Sequence, residues 1–569
     1  MLMQLARKLL ASRRASALLA EAWRCFEAGA LEDADRACWA AARGDAAQTP
    51  QAHRLHVALA RAFVEQQRYD LAAPHLERAL AGLPPGDPGR VPLQLQLAVS
   101  IGAQQTERAR DLMAAVVSPA DICGRLRRAL MLPAILQSQE EIEAVRQRFE
   151  GELDALLAER FDPVADPDVR VGSTAFHLAY HARNNAPLLA KLGRLCRRLY
   201  PGGEAPRRQR AAGRLRVGFV STFFHRHSVG RTTLGLVRDL PRERFETFVF
   251  AIEPQDDPFA AAFRQHAQHY AALPAELPRV REAIAAAGLD VLLFADIGMH
   301  PLTYFLAFWR LAPIQLVTWG HSVTSGIDTL DYYVSAESVE TPQSEAYYTE
   351  KLLRLPGYFM PRYERAVLPA RRSRAELGLP ADAHIYYCPQ SPFKLHPDFD
   401  GVLRALLERD SRAGILLLDG RPRSAPRLRE RFARSLGPLA PRVHFLERLP
   451  PEDFLQYLAA ADVILDPLYF GGCNSSCEVF ALGQPMLTLP GPQLPGRFTM
   501  ALYREMEIAD CIAGDAGEYA DIAVRLACEP DFRADITRRI AERSGRLFDR
   551  PDAGVNFGRE LLRLVEEGR

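Results

Sequence analysis

The amino-acid sequence predicts an α-helical N-terminal region followed by two successive doubly wound α/β lobes. The first 120 residues are rich in Ala, Leu and Arg and are typical of short helices, whereas strand–helix alternation begins at Leu215 and begins again at His384. Alternation of this kind is typical of parallel sheets covered by helices. A chain of 569 residues is also too long for one hydrophobic core. We therefore predict helical repeats over 1–120, a helical connection over 121–212, a first lobe over 213–370 and a second lobe over 371–569.

The composition is that of an ordinary globular protein. The net charge is +1, with 48% hydrophobic and 25% charged residues, so bulk electrostatics indicate neither a nucleic-acid nor a membrane partner. Apolar runs are too short to predict a transmembrane helix. The nine cysteines are scattered, and the pair Cys473 and Cys477 lacks the companion ligands of a zinc site. We interpret them as reduced thiols of a cytoplasmic protein.

The N-terminal region fits a tetratricopeptide-like repeat of about 34 residues. Two copies share an order of small and apolar positions, and a third, weaker copy spans about 91–117. The matching positions are Ala22, Phe26, Leu31, Ala34, Cys38 and Ala41 in the first copy and Leu59, Ala60, Phe63, Ala72, Leu76 and Ala79 in the second. Small residues let paired helices approach closely, and stacked pairs bury what one pair cannot. A plain helical bundle is the alternative.

Each α/β lobe begins with a short apolar run that is typical of a buried parallel strand. In the first lobe we predict strands at 215–221, 245–252, 291–295, 314–319, 332–335 and 351–355, and a helix at 279–287. In the second we predict strands at 384–388, 414–418, 443–446, 463–465 and 486–489, and helices at 398–410, 425–436, 451–461, 476–482 and 555–567. Ligands of such sheets bind beyond the carboxyl ends of the strands, so a cleft between the lobes is the predicted site.

A Gly-Gly loop after the strand at 463–465 is the first candidate binding element. It leads into Gly472, Cys473, Asn474, Ser475 and Ser476, which begin a helix. A helix N-terminus offers unpaired amides and partial positive charge, which suits a diphosphate. Glu478, one turn further, can accept hydroxyl protons from a ribose. A simple helix cap would explain the same residues.

Lys394 is the second candidate. It follows the first strand of the second lobe together with Gln390 and Ser391, and it is one of only four lysines among 71 basic residues. Its ammonium can neutralise a phosphate that becomes the leaving group, which lowers a barrier if the interaction strengthens in the transition state. A solvated surface lysine is the alternative.

Histidines at strand ends of the first lobe are candidates for proton transfer. His225 and His227 follow the first strand and can act as base or donor, whereas His321, Thr324 and, more weakly, His300 follow later strands on the predicted acceptor side. Each can instead satisfy backbone groups of its loop.

No pair of carboxylates lies at matched strand ends. Asp-x-Asp occurs at 33–35, 166–168 and 398–400, of which the first two lie outside the sheets and the third begins a helix. We therefore predict no metal and no other cofactor, with the lysine and the helix terminus stabilising the leaving group.

Taken together, these motifs resemble the family of O-linked N-acetylglucosamine transferases, and the resemblance covers nearly the whole chain. Its specific parts are residues 216–221, 312–315, 324–326 with 331–332, Lys394, and 483–486 with 490–491. The resemblance implies a GT-B fold, UDP-GlcNAc as donor, Ser or Thr of proteins as acceptor, and inversion at the sugar carbon without a metal. It implies that the repeats help to bind protein or peptide acceptors.

Site residues follow from the same resemblance. Lys394 matches the family's pyrophosphate lysine, Glu478 stands where the family has an aspartate for ribose, and His227 matches a histidine proposed as catalytic base. Arg497 matches an arginine after the Pro-Gly turn.

The sequence departs from the family in two stretches. The family's His-Thr-Thr-Gly becomes 473–476 here, and in the base-binding stretch from Leu449 to Phe454 its lysine and histidine become Pro451 and Phe454. Two alternatives therefore stay open: a related transferase that uses GDP-fucose, and a repeat scaffold whose catalytic half binds nucleotide without turnover.

Overall fold

A computed structural model describes residues 2–42, 49–66, 68–206, 213–368, 370–420, 425–447 and 449–567. Its contacts divide the chain into two compact units. One comprises Met1–Ile135 with Gly420–Arg427, and the other comprises Leu136–Asp419 with Leu428–Arg569. The first unit thus extends beyond the predicted repeat boundary at 120. Among the described residues, no helix combines the length and apolar character needed to cross a bilayer.

The first unit is built from helices in sequential pairs. They are α1 (Leu2–Glu27), α2 (Leu31–Ala42), α3 (Pro50–Glu65), α4 (Tyr69–Ala81), α5 (Arg90–Ile101), α6 (Thr106–Val116) and α7 (Ile122–Ala129). The repeat positions Ala22, Ala34, Ala60 and Ala72 are fully buried in one common core. These small side chains are thus buried in the core of the helical unit, and the tetratricopeptide-like repeat stays a prediction.

The second unit opens with three helices and then forms the first α/β lobe. Its helices are α8 (Gln139–Ala158), α9 (Pro167–Val171), α10 (Ala186–Leu199), α11 (Ser228–Asp239), α12 (Pro258–His266), α13 (Leu277–Ala287) and α14 (Pro301–Leu306). Its strands are β1 (Gly203–Glu204), β2 (Leu215–Ser221), β3 (Phe245–Ile252), β4 (His269–Leu273), β5 (Val291–Phe294), β6 (Trp309–Arg310), β7 (Ile314–Thr318), β8 (Tyr332–Ala336) and β9 (Lys351–Leu355). Seven strands form a parallel sheet in the order β4-β3-β2-β5-β7-β8-β9, and β1 pairs with β6.

The second lobe is a smaller parallel sheet. Its strands are β10 (His384–Cys388), β11 (Ala413–Leu418), β12 (Val443–Leu446), β13 (Val463–Leu465) and β14 (Met486–Leu487), in the order β12-β11-β10-β13-β14. Its helices are α15 (Phe399–Arg409), α16 (Ala425–Ser435), α17 (Pro451–Ala460), α18 (Asn474–Ala481), α19 (Phe498–Glu505), α20 (Ala516–Cys528) and α21 (Pro530–Arg543). The strand order reverses beside β10, so the loops after β10 and β13 border the crevice where such sheets bind ligands.

The final helix is α22 (Asp552–Glu567). It packs on α11 and β9 of the first lobe, so the prediction that it belongs to the second lobe is wrong. A Cβ on Gly554 would lie 2.6 Å from the Cβ of Asp239, and one on Gly558 would lie 3.1 Å from the ring of Phe245. Glycine is therefore required where the backbone of α22 meets the end of α11.

Candidate active site

A cavity of about 570 Å³ lies beside the carboxyl ends of the strands of both lobes. Its walls come from the loops after β2, β7, β10 and β13 and from the connecting segment before α10. The predicted residues that line it are His227, His321, Gln390, Ser391, Lys394, Cys473, Asn474, Ser475 and Glu478. A volume of this size is in the range of small-molecule sites.

Lys394 lines the cavity and is held in place by the loops after the neighbouring strands β10 and β13. Its Nζ donates to Gln390 Oε1 at 2.8 Å and to the carbonyl of Gly471 at 3.1 Å, and it lies 5.0 Å from the centroid of the Phe470 ring. Removal from water lowers the pKa of Lys394, and the nearby carboxylate of Asp466 partly opposes this shift. The ammonium is thus fixed in place and incompletely solvated, which strengthens its attraction for an anion.

Asp466, directly after β13, lies behind the lysine and fixes the Gly-Gly loop. Its carboxylate accepts from Gly472 N at 2.7 Å and from Thr488 Oγ1 at 2.9 Å. Burial raises the pKa of Asp466 to about 6, although these hydrogen bonds act in the opposite direction. Sequence reasoning did not select this residue, although a carboxylate at a strand end was a usable signal.

Helix α18 begins at the edge of the cavity, as its sequence predicts. Cys473 caps it, and the first intrahelical bond runs from Cys477 N to Cys473 O, so the amides of Asn474, Ser475 and Ser476 precede the helical ladder. Ser475 Oγ accepts from Gln390 Nε2 at 2.5 Å, which links α18 to the lysine loop. These three amides can receive an anion.

For two residues of the predicted phosphate loop, Gly472 and Ser476, the prediction that they bind the ligand is wrong. Gly472 is buried and its N–H already donates to Asp466, while Ser476 Oγ shares a buried hydrogen bond with Thr499 Oγ1 at 2.8 Å. Neither group lines the cavity, because the loop turns them inward to support its own fold. Their role is therefore to shape the loop.

Glu478 lines the cavity, but it is not a free ribose acceptor. Its Oε1 accepts from Arg231 Nη1 of α11 at 2.8 Å, and the same guanidinium donates to Tyr363 OH at 3.0 Å. Burial raises the pKa of Glu478, and the charge of Arg231 opposes that shift. A ribose would have to use the second carboxylate oxygen or displace Arg231.

His227 lines the cavity at the first residue before α11. Its Nδ1 accepts from Val229 N at 3.2 Å, and its ring stacks on Phe223 with centroids 4.5 Å apart. Burial lowers the pKa of His227 to about 4, so the ring is neutral at pH 7. Because Nδ1 is an acceptor, the one ring proton lies on Nε2. In this state His227 can donate a hydrogen bond to a ligand but cannot accept its proton.

Because His227 both caps α11 and presents an N–H, we expect His227→Asn and His227→Ala to affect activity differently. Asparagine can still cap α11 and present an N–H, whereas alanine can do neither. We expect His227→Ala to lower kcat/KM by about 10²-fold, as for loss of an oriented donor, and His227→Asn to recover most of it with an unchanged pH profile. Equal loss in both variants, together with disappearance of the acidic limb of the pH–rate profile, would instead identify His227 as the base.

His321 also lines the cavity, and its ring stacks on Phe176 with centroids 4.9 Å apart. A hydrogen bond joins the ring to the backbone of Phe176, whereas Nε2 is buried without a partner among the described residues. Burial lowers the pKa of His321 to about 4. Nε2 is therefore the unprotonated ring nitrogen of a neutral histidine, in contrast to His227.

The other predicted acceptor-side residues do not line this cavity. His225 is buried beside Asp257. His300 caps α14 through Nδ1, which accepts from Leu302 N at 3.2 Å. Thr324 Oγ1 donates to Glu350 Oε2 at 2.5 Å and accepts from Thr349 N at 2.8 Å, so it closes its own loop. For His300 and Thr324 the structural alternative is correct.

The predicted base-binding stretch lies beside a second cavity of about 300 Å³. Phe454 lines this second cavity, Leu449 lines neither, and Pro451, Arg231 and Glu478 border both. The two spaces therefore adjoin at the Arg231–Glu478 ion pair.

Several cavity residues were missed by sequence reasoning. Phe176 and Tyr180 precede the first lobe, where no strand end marks them, and Phe393 and Phe470 differ little from core residues in sequence. The ring centroid of Tyr180 lies 4.7 Å from that of Phe393 and 4.6 Å from that of Phe470, and Phe470 in turn lies beside the ammonium of Lys394.

Comparison with known proteins agrees with this architecture. The model of glycosyl transferase family 41 matches residues 174–369 and 364–550, which is more than half of the chain. A mutant O-GlcNAc transferase of Thermobaculum terrenum superposes with a TM-score of 0.65 at 22% identity, covering 97% of this chain and 96% of that one. The two proteins share a fold.

Two curated relatives are more similar in sequence. A probable UDP-N-acetylglucosamine–peptide N-acetylglucosaminyltransferase of Arabidopsis thaliana is 26% identical over 357 residues, which is 61% of this chain and 36% of that protein. A UDP-glucose:protein N-beta-glucosyltransferase of Actinobacillus pleuropneumoniae is 27% identical over 274 residues, which is 48% of this chain and 43% of that protein. The chain thus spans less than half the length of these relatives. The two-lobed architecture is the GT-B fold, and from the matched family model we conclude that this chain belongs to glycosyl transferase family 41.

Proposed function

We propose that the protein transfers N-acetylglucosamine from UDP-GlcNAc to Ser or Thr hydroxyls of proteins or peptides, with inversion and without a metal. The observation that carries this proposal is the position of Lys394, fixed by Gln390 and Gly471 next to the first amides of α18. Together they form one positive surface on the wall of the cavity. Such a surface suits the diphosphate of a sugar nucleotide.

In the proposed reaction, Lys394 and the first amides of α18 stabilise the leaving group. As the bond from the sugar carbon to the diphosphate breaks, negative charge grows on the departing phosphate, and Lys394 interacts more strongly with it. Among the described residues that line the cavity, Glu478 is the only carboxylate, and Arg231 already pairs with it. A divalent ion would therefore find a single carboxylate in the described lining of this cavity, one that is already paired with Arg231.

The acceptor hydroxyl is proposed to enter beside His227 and His321. The Nε2 of His321 carries a lone pair, whereas His227 offers an N–H, so the two rings can play complementary roles. The helical pairs of the first unit are proposed to select the protein or peptide acceptor.

A second candidate is transfer of glucose from UDP-glucose to a nitrogen atom of a protein acceptor. The Actinobacillus relative, named as a UDP-glucose:protein N-beta-glucosyltransferase, supports it, because its identity of 27% equals that of the N-acetylglucosaminyl relative within one percentage point. The substitutions Pro451 and Phe454 leave GDP-fucose as a third donor to test.

Parallel incubations with radiolabelled UDP-GlcNAc, UDP-glucose and GDP-fucose test these alternatives. The full chain is mixed with a cell lysate as acceptor, with Lys394→Met as the matched inactive control. We expect protein label from UDP-GlcNAc alone, released by alkaline β-elimination as required for an O-link, and no increase on adding Mg²⁺ or Mn²⁺.

Other outcomes have distinct meanings. Label from UDP-glucose that resists β-elimination would replace the proposal by N-glucosylation. Calorimetric binding of UDP with no transfer from any donor would identify a nucleotide-binding scaffold.

A further inference from the structure

A buried cluster of polar side chains lies in the helical unit, on three different helices. Cys38 of α2, His56 of α3 and His75 of α4 are each 1% exposed or less, in a core that is mainly apolar. One potential ligand atom from each of the three lies within 4.8 Å of the others. Nothing in the proposed glycosyl transfer uses these groups.

The hydrogen bonds of the cluster form one chain that ends on a carboxylate. His75 Nε2 lies 3.0 Å from Asp35 Oδ1, and His75 Nδ1 lies 2.7 Å from His56 Nδ1. Cys38 Sγ lies 3.8 Å from both ring nitrogens of His56. Because Asp35 accepts from Nε2 of His75, the Nδ1 of that ring carries a lone pair and accepts from Nδ1 of His56.

This arrangement has the features of a metal-binding site. A histidine that ligates a metal usually donates its other N–H to a carboxylate, as His75 does to Asp35. The ring of His75 is held between Trp39 and Phe63, with centroids 5.1 Å and 5.9 Å away, so its orientation is fixed. Imidazole and thiolate together suit zinc and similar borderline ions.

We propose that Cys38, His56 and His75 bind one zinc-like divalent cation through Sγ, Nδ1 and Nδ1, with Asp35 orienting His75. A thiolate and an imidazole nitrogen on one zinc ion lie about 3.5 Å apart, close to the separations found here, and the two imidazole nitrogens have to separate by roughly 0.6 Å. All three ligands are buried, and they leave one position of a tetrahedral ion without a protein ligand.

Charge and protons balance when the ion enters. The Cys38 thiol releases its proton to solvent, and the proton of His56 moves from Nδ1 to Nε2, so one proton is released per ion. The ion's two positive charges are then matched by the thiolate and by Asp35.

The side chains of His384, Asp410 and Cys528 form a second group that could in principle bind a metal ion. We use this group as a control for the proposed site. The carboxylate of Asp410 is occupied by His384, Tyr386 and the backbone of Arg412, and Cys528 is exposed. Substitution of Cys528 removes a comparable thiol without touching the proposed ligands.

Cobalt substitution tests the proposal on the full chain without an affinity tag. The protein is stripped with a chelator and titrated with Co²⁺, because thiolate coordination produces a charge-transfer band in the near ultraviolet. We expect one Co²⁺ per chain, a band that Zn²⁺ abolishes by displacement, and a higher Tm in the presence of Zn²⁺. This readout does not depend on sugar transfer.

The variants make the assignment specific. Cys38→Ser should abolish the band, Asp35→Asn should weaken Co²⁺ binding by about 10–100-fold, and Cys528→Ser should leave both unchanged. Absence of the band in the unsubstituted chain, or its persistence in Cys38→Ser, overturns the proposal. If Cys38→Ser does not fold, unchanged Co²⁺ affinity in Asp35→Asn overturns it instead.

Discussion

Lys394→Met is expected to reduce kcat by about 10²–10³-fold, which corresponds to roughly 2.7–4 kcal/mol of lost transition-state stabilisation. Methionine keeps most of the side-chain volume but removes the charge between Gln390 Oε1 and the carbonyl of Gly471. The effect on kcat should exceed the effect on UDP affinity, because charge on the leaving phosphate grows only as the bond breaks. Steady-state kinetics and calorimetry with UDP measure the two separately.

Lys351→Met provides the matched control for this experiment. It makes the same change of charge on an exposed residue of β9, away from the cavity. We expect its kinetics to equal those of the unsubstituted enzyme. Full activity of Lys394→Met would contradict the assignment of this lysine to the leaving group.

The pH dependence of donor binding provides an independent check on Lys394. Burial lowers its pKa, so the free enzyme should lose this positive charge at a lower pH than an exposed lysine would. UDP affinity should therefore be full below the lowered pKa and should fall as pH rises through it. The same titration with Lys394→Met should lack that alkaline decline, and an identical decline in both proteins would assign it to another group.

The sequence predicted the sheets better than it predicted the site. Each of β2, β3 and β10 begins and ends where the apolar runs place it, because a parallel strand buried on both faces is marked by continuous hydrophobicity. The edge strands β9 and β12 also have their predicted bounds, although they are only partly buried. Strand β4 was missed, since its residues are half-exposed at the sheet edge and carry no such run. The packing of α22 on the first lobe depends on two glycines that only tertiary contact explains.

Within the site, sequence position identified side chains near the cavity but not the direction in which they point. Lys394 and Ser475 face it, whereas Ser476, next in the chain to Ser475, turns inward to Thr499. The same limit applies to the proposed metal ligands. Cys38, His56 and His75 lie on three helices at spacings that match no short zinc motif, so only the fold brings them together.

Gly472→Ala is expected to have the second-largest effect on activity, because Gly472 lies against the side chains of Ser475, Ser476 and Gln390. A Cβ at this position would lie 2.4 Å from Ser476 Oγ, 2.7 Å from Ser475 Oγ and 2.9 Å from Gln390 Nε2. The serine hydroxyls cannot move without cost, since Ser476 is bonded to Thr499 and Ser475 to Gln390. Gln390 in turn positions Lys394, so the added methyl group displaces the ammonium without changing any charged residue.

We therefore expect Gly472→Ala to raise the KM for the donor and to lower kcat by about 10²-fold, the size expected when one oriented stabilising group is misplaced. Overpacking should also lower the free energy of unfolding by about 1–3 kcal/mol. Gly401→Ala is the matched control, because a Cβ there meets no atom within 4 Å and the residue lies inside α15. That control should keep full activity and gain about 0.4–1 kcal/mol of stability. Unchanged donor kinetics in Gly472→Ala would mean that Gln390 does not position Lys394, and the lysine would then have to act through its contact with Gly471 alone.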